Sequence, residues 1–542
     1  MASRKRTTIK LSTKGTILHA PQPPIEAQSG DSSPMRLSER LDVNLTYLKS
    51  IFANASDIHF REFRIFDGRP AAIIYIQGLT DKAEIDDNLL RPLAQPNHAV
   101  DRVIEHPHRL PLGVLFEEYV HIAGAKQVAT LQEAIKMVIE ETNVLLLVED
   151  EPVALAVSAA KSPDRAVEEP NTEAVIRGPR QGFNENIQTS LALLRTRIRS
   201  TAFCVESFDL GRYTKTTVAL CYIDGIASSN LVDEIRSRLK RIDIDGIIDS
   251  GYIEELIEDS PHSPFPQIQN TERPDVVVSQ LLEGKVAILA NGSPFALILP
   301  INFWGLMQAS EDYYERYMIA NAIRALRFIF LFINLYLPSL YVAITTFHQE
   351  MLPTKALLSI AAAREVTPFP AVVEALIMEI TFEALREAGV RLPKTVGSAI
   401  SIVGALVIGQ AAVQAGIVSA PMVIVVSITG IGSFVIPRYN LAITLRMLRF
   451  PMILLAGTLG LFGIVVTTLA VIIHLSSLRS AGIPYLSPVI PFHWRDMKDA
   501  IVRAPRWAMQ QRPAESGKAN PRRESNATRK SRRLPSRQRA RS

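Results

Sequence analysis

The feature that most constrains this chain is the stretch from Thr395 to Pro437, which contains no charged residue. It lies between Lys394 and Arg438 and is dominated by apolar side chains. Because a helix needs about 20 mainly apolar residues to cross a bilayer, this stretch can hold two membrane-spanning helices, with a turn near Gly416. The sequence therefore predicts a membrane protein.

The first of these two helices, residues 395–415, has two different faces at the helical period of 100° per residue. Small side chains, which let helices approach closely in lipid, fall on one face: Gly397, Ser401, Ala405 and Ala412. The opposite face carries two valines and two glutamines: Val403, Val407, Gln410 and Gln414. Because lipid cannot accept hydrogen bonds from an amide, this second face is expected to contact either a neighbouring helix or a water-lined passage.

Composition divides the chain into segments. Apolar residues concentrate between 325 and 478, and residues 511–542 carry eleven Lys or Arg and two Glu, a local charge of +9 within a chain of net charge +5. The basic opening lacks the apolar core of a signal peptide. The two cysteines, Cys204 and Cys221, fit no disulfide framework or metal spacing. The polar first half is therefore predicted to be cytoplasmic, with reduced thiols.

This first half is predicted to contain two similar α/β modules, at 38–162 and 188–302. The segments YIQGL (75–79) and YIDGI (222–226) occupy equivalent places in two strand–turn–strand patterns, which indicates an internal repeat. A linker rich in Pro, Gly and charge, 163–187, joins the modules. A disordered basic arm, 1–37, is expected to precede them.

An all-α, multi-span membrane domain is predicted for 303–490, followed by a basic disordered tail, 491–542. Its spans are expected near 328–347, 395–415, 417–436 and 451–475, with an extra span or re-entrant helix at 370–388. Arginines before the first span place its start in the cytoplasm. The basic residues that flank the later spans favour five crossings and an external tail, whereas the basic tail favours four crossings.

The helix at 370–388 carries three acids at intervals of four residues: Glu379, Glu383 and Glu387. This spacing places them on one side of the helix, opposite apolar residues such as Val372 and Ile380. Such a helix is too charged to face lipid, so the acids are expected to meet water, headgroups or basic partners. They form either the solvated face of a surface helix or the entrance to a cation pathway.

The sequence carries no catalytic constellation. It contains no GxSxG elbow, no GxGxxG after a strand and no HExxH pair, and His106-Pro-His108 alone is a weak metal signal. We therefore predict no enzyme activity, cofactor or metal site. The Arg-rich tail lacks interleaved aromatic residues, so contact with anionic lipid is favoured over nucleic acid.

Several long segments resemble the A subunit of the GerA family of spore germination receptors. They are IVGALVIGQAAVQAG (402–416), MEITFEALREAGVRLP (378–393), LRMLRF (445–450), EDYYERY (311–317), LPSLYVAITTFHQEMLP (337–353) and PFPAVVEALIME (368–379). The resemblance extends over about 38–490 and covers the SpoVA-associated member of the family as well. The long basic tail departs from the family pattern.

The resemblance implies a multi-pass protein of the spore inner membrane that assembles as a homo-oligomeric, pentameric ion channel and releases cations at germination. Its implied partners are a nutrient-sensing, transporter-like B subunit and a lipoprotein C subunit. In such a channel, Gln410 and Gln414 would form a ring and Val403 and Val407 a constriction that gates by dewetting. The alternative is a non-conducting membrane scaffold that assembles the receptor complex. A secondary transporter is disfavoured because no inverted repeat of spans is present.

Overall fold

The computed structural model describes residues 35–94, 112–113, 120, 122, 124–161, 169–170, 172–173, 175–391, 409–517 and 519–523. The chain forms two compact units. The first comprises the described part of Met1–Ala53 together with Phe60–Ile74 and Asp86–Ser158, and the second comprises Asn54–His59, Tyr75–Ile85 and the chain from Ala159 onward. The N-terminal half contains the large β-sheets, and the C-terminal half is helical.

The first five-stranded sheet has the order β1-β2-β4-β5-β3. Its elements are α1 (Leu41–Ile51), β1 (Ile58–Arg64), β2 (Pro70–Ile76), short helical segments at Lys82–Ile85, Asp86–Leu90 and Arg91–Ala94, β3 (Ala125–Val128), α2 (Leu131–Ile139), β4 (Val144–Val148) and β5 (Ala154–Val157). Every residue of the apolar strand β4 is buried, as expected for a central strand covered on both faces. Thr130 begins α2 by accepting a hydrogen bond from the backbone N–H of Glu133.

The second sheet repeats this layout with the order β6-β7-β9-β10-β8. Its elements are α3 (Ile187–Arg197), β6 (Phe203–Leu210), β7 (Thr216–Ile223), α4 (Ser229–Arg241), α5 (Ser250–Ile257), β8 (Gln269–Thr271), α6 (Pro274–Leu281), β9 (Val286–Ala290) and β10 (Ala296–Leu299). Along β7, Val218 and Leu220 face one buried cluster while Ala219 and Cys221 face another, which is the alternation of a strand covered on both sides. Cys204 and Cys221 are buried free thiols, as the sequence predicted.

In the described part of the helical half, short helices at Phe303–Leu306 and Glu311–Tyr314 are followed by six longer ones. These are α7 (Tyr317–Phe347), α8 (Thr354–Arg364), α9 (Ala371–Arg391), α10 (Ala420–Ser433), α11 (Tyr439–Leu459) and α12 (Leu461–Ser477), and residues 409–414 are helical as well. Among the described residues, α7 and α11 are long and apolar enough to cross a membrane. Helix α10, at 14 residues, is about 21 Å long, which is less than a hydrocarbon core of about 30 Å.

The predicted spans differ from these helices in two places. The helix predicted at 451–475 is instead divided between α11 and α12, because Gly460 adopts a φ of 62° that ends one helix and begins the next. The helix predicted from 328 begins earlier, at Tyr317. Residues 392–408, most of the span predicted at 395–415, lie outside the described residues, as do 1–34 of the predicted arm and 524–542 of the predicted tail.

The helices pack closely where one of them carries a glycine. A Cβ atom added to Gly457 would lie 2.6 Å from a methyl carbon of Val372, and one added to Gly432 would lie 2.5 Å from the Asn334 amide oxygen. Both distances are too short for any side chain. Glycine therefore lets α11 approach α9 and α10 approach α7, as is typical of helices that associate in lipid.

The helix bundle has two distinguishable ends. At the end we call the near end, Arg438 before α11 pairs with Glu173 at 2.6 Å, and His474 of α12 hydrogen-bonds Ser263 at 2.8 Å. At the opposite, far end, His348 after α7 accepts a hydrogen bond from the backbone N–H of Leu461 at 3.4 Å. The near end is therefore the end that contacts the linker and the second module.

After α12 the chain returns to the second module. Ser480 donates a hydrogen bond to the Gln267 carbonyl at 2.6 Å, and Tyr485 donates one to the Pro266 carbonyl at 2.8 Å. Further on, the Ser516 hydroxyl bonds the Glu283 carbonyl at 2.8 Å. Residues 491–517 and 519–523, which the sequence assigned to a disordered tail, thus include a segment held against the module.

Candidate functional site

The glutamine face of the predicted pore helix is partly described. Gly409 is buried, and a Cβ atom added to it would lie 3.5 Å from the Val423 side chain on α10. Gln410 and Gln414 are exposed in the single chain, and Ala412 is half-buried. Small residues therefore pack against α10 while both amides lie on the open side. The remaining predicted positions lie outside the described residues: Gly397, Ser401, Val403, Ala405 and Val407.

Helix α9 carries the three predicted acids to different depths in the bundle. Glu379 is buried, and both of its carboxylate oxygens lie 2.7 Å from Nη1 of Arg449 on α11. The same nitrogen lies 3.3 Å from the Thr429 hydroxyl on α10. Glu379 therefore binds a basic partner inside the bundle and does not lie on a solvated face.

Glu383 lies one turn closer to the near end. Its carboxylate is 3.2 Å from Nε of Arg446 and 3.7 Å from Nη1 of Arg386, and 44% of its side chain is exposed. Glu387, a further turn along, is exposed. The three acids thus form a series that runs from the protein interior towards the near end, with arginines beside the first two.

Two features of α9 could not be recognised from the spacing of its acids. Glu374 is fully buried and accepts hydrogen bonds from the backbone N–H and the hydroxyl of Ser419, at 3.0 and 2.8 Å, which ties the start of α10 to α9. Ile380, on the apolar side of the helix opposite the acids, is 60% exposed. The signal for Glu374 was its position in an apolar helix, where an acid needs a partner.

A second charge network lies at the near end, where α7 begins. The Asp312 carboxylate accepts hydrogen bonds from Nε of Arg324 at 2.9 Å and from Nη1 of Arg327 at 2.7 Å. Arg324 also contacts Asp499 of the C-terminal segment at 2.9 Å. Burial raises the pKa of the Asp499 carboxyl above its usual range. Two of the arginines that the sequence assigned to the cytoplasmic flank are thus neutralised inside the protein.

Beneath the C-terminal segment, a cavity of about 510 Å³ is lined by acids and bases in similar number, including Lys285, Glu283 and Arg523. Burial lowers the pKa of Lys285 to about 8. Arg523 and Glu283 pair across the cavity wall at 2.5 Å. Because the charges largely compensate one another, this cavity does not define one class of ligand.

The geometry of these sites favours ion pairing over catalysis. Among the described residues, no group of three His, Cys, Asp or Glu side chains could hold a metal ion. Burial raises the pKa of Cys204 to about 11 and that of Cys221 further, so neither thiol is a ready nucleophile. The predicted pair His106 and His108 lies outside the described residues.

The helix bundle has charged residues that face inward and apolar residues that face outward, and it follows two sheet-containing modules. This combination defines a membrane-associated α/β–helical protein. Comparison with known families specifies the class further. A family model described as the Bacillus/Clostridium GerA spore germination protein matches residues 46–515. The chain belongs to the GerA family, which confirms the resemblance seen in its segments.

Individual proteins are similar to this chain over much of its length. The Bacillus subtilis (strain 168) "uncharacterized membrane protein YfkQ" is 49% identical over 490 residues, which cover 90% of this chain and 94% of YfkQ. Spore germination protein KA of the same strain is 45% identical over 493 residues, covering 90% of this chain and 88% of that protein. The crystal structure of the N-terminal domain of the A subunit of the Bacillus megaterium spore germinant receptor GerK3 is 38% identical and covers 49% of this chain and 97% of that domain, with a TM-score of 0.39.

Proposed function

We propose that this protein is the A subunit of a nutrient-responsive spore germination receptor in the spore inner membrane. In this proposal, several copies assemble into an ion channel that releases cations to start germination. Its partners are a transporter-like B subunit and a lipoprotein C subunit. The spore germination names of relatives such as protein KA support the broader role.

The observation that carries the channel proposal is the exposure of Gln410 and Gln414 on the side of their helix away from α10. In a membrane, an amide needs a hydrogen-bonding partner, and lipid provides none. Identical copies arranged around an axis would place these amides on a shared, water-filled passage. Val403 and Val407, on the same predicted face, would then form the constriction that gates by dewetting.

The connections of the bundle support an even number of membrane crossings. Helices α7 and α11 run from the near end to the far end, and α9, α10 and α12 run back. Helix α9 ends at the near end at Arg391, and Gly416, a few residues before α10, approaches Val366 at the far end. We therefore propose six crossings with both ends of the bundle sequence in the cytoplasm. The four- and five-crossing topologies considered from the sequence both treat 451–475 as one span, so they omit the reversal at Gly460.

The ion pairs give this channel a rigid frame. Arg449–Glu379 joins α11 to α9, and Glu374 holds Ser419 at the start of α10. Ser419 follows the proposed pore helix by a few residues, and Gly416, with a φ of 67°, forms the bend between them. The pore helix is thus attached to a fixed point at its far end, so a stimulus from a partner can act on it against a stable support.

The second candidate function is a non-conducting scaffold. The same exposed amides favour it, because Gln410 and Gln414 would also be satisfied by hydrogen bonds to a helix of the B subunit. The two candidates differ in what surrounds the glutamine face. In the channel that face meets water and other copies of this chain, whereas in the scaffold it meets a different protein.

The decisive experiment measures ion flux from liposomes that contain the full-length protein with its B and C subunits, with and without nutrient. Val407→Lys places a charge in the proposed constriction, and Val407→Leu is the matched control that alters size alone. If the channel exists, the Lys variant loses flux while cross-linking still detects homo-oligomers, and the Leu variant conducts. If the wild-type protein shows no flux and the Lys variant no longer assembles with its partner subunits, the protein acts as a scaffold.

A further inference from the structure

Four arginines surround a second cavity at the near end of the bundle, which we call the arginine cavity. It has a volume of about 400 Å³ and lies where α9, α10 and α11 meet the linker. Its basic lining residues are Arg327, Arg386, Arg438 and Arg446. The acids in its wall are Glu173 and Glu311. The lining therefore carries more positive than negative charge.

The ion pairs among the described residues leave one arginine of this cavity without a carboxylate of its own. Arg438 pairs with Glu173 at 2.6 Å and Arg327 with Asp312 at 2.7 Å. In contrast, Arg386 and Arg446 share the Oε2 atom of Glu383, at 3.7 and 3.2 Å. One carboxylate opposite two guanidinium groups leaves an excess positive charge.

The same two arginines are short of hydrogen-bond acceptors. Their side chains are 8% and 10% exposed, and a guanidinium carries five N–H donors. Among the described residues, Nε and Nη1 of Arg386 have no hydrogen-bond partner, and Nη2 of Arg386 donates to the Ser433 hydroxyl. Nε of Arg446 lies 3.2 Å from the Glu383 carboxylate, but its N–H is not aligned for a hydrogen bond. A buried unsatisfied donor costs about 1–3 kcal/mol, so an additional acceptor in this space is favoured.

The aromatic rings and helix ends near these two arginines do not supply the missing hydrogen-bond acceptors. The rings of Phe434 and Phe382 lie 5.0 and 5.2 Å from the Arg386 guanidinium, and the Tyr439 ring lies 6.0 Å from that of Arg446. These rings stabilise positive charge but accept no strong hydrogen bond. Helix dipoles oppose each other here, because α10 ends and α11 begins at the cavity. The side-chain charges therefore decide the preference.

We propose that the arginine cavity binds a phosphate-type anion through Arg386 and Arg446. A planar guanidinium group can donate two parallel hydrogen bonds to the oxygens of a phosphate group. A lysine ammonium group would supply only a point charge, so two arginines suit a phosphate-type anion better than two lysines. The anion has two available sources. If the near end lies at the cytoplasmic membrane surface, as the proposed topology requires, the headgroup of an anionic phospholipid can reach it, and free phosphate can enter from solution. This inference requires no ion conduction.

The test measures how ligands raise the thermal unfolding midpoint of the full-length protein in detergent. One arm titrates phosphatidylglycerol against phosphatidylcholine, and the other titrates sodium phosphate against sodium chloride at equal ionic strength. Arg386→Gln removes the positive charge. Arg386→Lys retains the charge but lacks the planar arrangement of N–H donors that a guanidinium provides. Arg316→Gln is the matched control, because Arg316 is an exposed arginine beside the start of α7 and outside the cavity.

We expect Arg386→Gln to raise the half-saturating concentration about tenfold, Arg386→Lys to raise it less, and Arg316→Gln to leave it within about twofold. Selective stabilisation by phosphatidylglycerol identifies a lipid as the source, and stabilisation by phosphate alone identifies the free anion. The proposal is overturned if neither ligand stabilises the wild-type protein more than its control, or if Arg316→Gln weakens binding as much as Arg386→Gln. Arg386→Lys keeps the test valid should Arg386→Gln fail to fold.

Discussion

Nη1 of Arg449 lies 2.7 Å from both carboxylate oxygens of Glu379 in the interior of the helix bundle, where the two side chains are only 2% and 7% exposed. The pair connects α11 to α9 across the core. Both charges are removed from water, so each is tolerated because the other is present. Loss of either side chain is therefore expected to destabilise the bundle.

Glu379→Gln should destabilise the protein, because it leaves the Arg449 charge buried without a counter-charge. Removing one partner of a buried pair costs about 3–5 kcal/mol. The double variant Glu379→Gln with Arg449→Met should recover a large part of this loss. Chemical denaturation in detergent measures this loss. Glu365→Gln, at an exposed position after α8, is the control and is expected to lie within about 0.5 kcal/mol of wild type. A Glu379 variant as stable as this control would contradict the ion pair.

The second module should become less stable as pH rises from about 4.5 to 7. Burial, with smaller contributions from Glu258 and Asp249, raises the pKa of Glu254 to about 7, and burial raises that of Glu258 to about 7. Between the usual glutamate value and 7, the folded state retains protons that the unfolded state has released, so stability falls as pH rises and then levels off.

Glu254→Gln should therefore raise the melting temperature at pH 8 and have little effect at pH 4. The measurement is a pair of thermal scans of the full-length protein at the two pH values. Glu255→Gln is the matched control, because the adjacent Glu255 is exposed on the same helix. An equal change in the melting temperature at both pH values, or the same response from Glu255→Gln, would contradict the raised pKa.

Gly460→Ala should destabilise the reversal between α11 and α12 by about 1–3 kcal/mol. Gly460 has φ and ψ of 62° and −140°, which non-glycine residues avoid, and an added Cβ atom would lie 2.9 Å from Nε2 of His348. Gly482→Ala is a useful control, because Gly482 also has positive φ but faces open space. Thermal unfolding should show a larger loss for the Gly460 variant. Equal losses would indicate that α11 and α12 form one continuous helix.

Local patterns in the sequence predicted much of this architecture. The repeated YIQGL and YIDGI segments indicated two similar modules, and the spacing of Glu379 and Glu383 placed both acids on one side of a helix. These features depend on residues a few positions apart.

The parts that escaped prediction depend on contacts distant in sequence. Arg449 lies 70 positions from Glu379, and Asp499 lies 175 positions from Arg324, so no local period relates them. The same holds for Gly460, which occurs in a mainly apolar run together with Gly457 and Gly463. Its contact with His348, and not its local sequence, distinguishes it as the bend.

Cysteine accessibility from the two sides of the membrane should distinguish an even from an odd number of crossings. Three exposed positions report on the second module, the C-terminal segment and the far end: Tyr213, Trp494 and Met351. Each is replaced by cysteine in a background without Cys204 and Cys221, and sealed vesicles are treated with an impermeant thiol reagent. Tyr213→Cys and Trp494→Cys should react from one side and Met351→Cys from the other. Labelling of Tyr213→Cys and Trp494→Cys from opposite sides would establish an odd number of crossings.

The central claim, that Gln410 and Gln414 line a water-filled passage between identical copies, is tested most directly by blocking it. Gln414→Cys in the cysteine-free background is reconstituted with the B and C subunits, and flux is measured before and after a charged, water-soluble thiol reagent is added during nutrient stimulation. Ile424→Cys, at an exposed apolar position of α10, is the control. We predict that the reagent abolishes flux through Gln414→Cys and leaves Ile424→Cys unaffected. A Gln414 cysteine that stays unmodified in both resting and stimulated complexes, while flux continues, would contradict the channel.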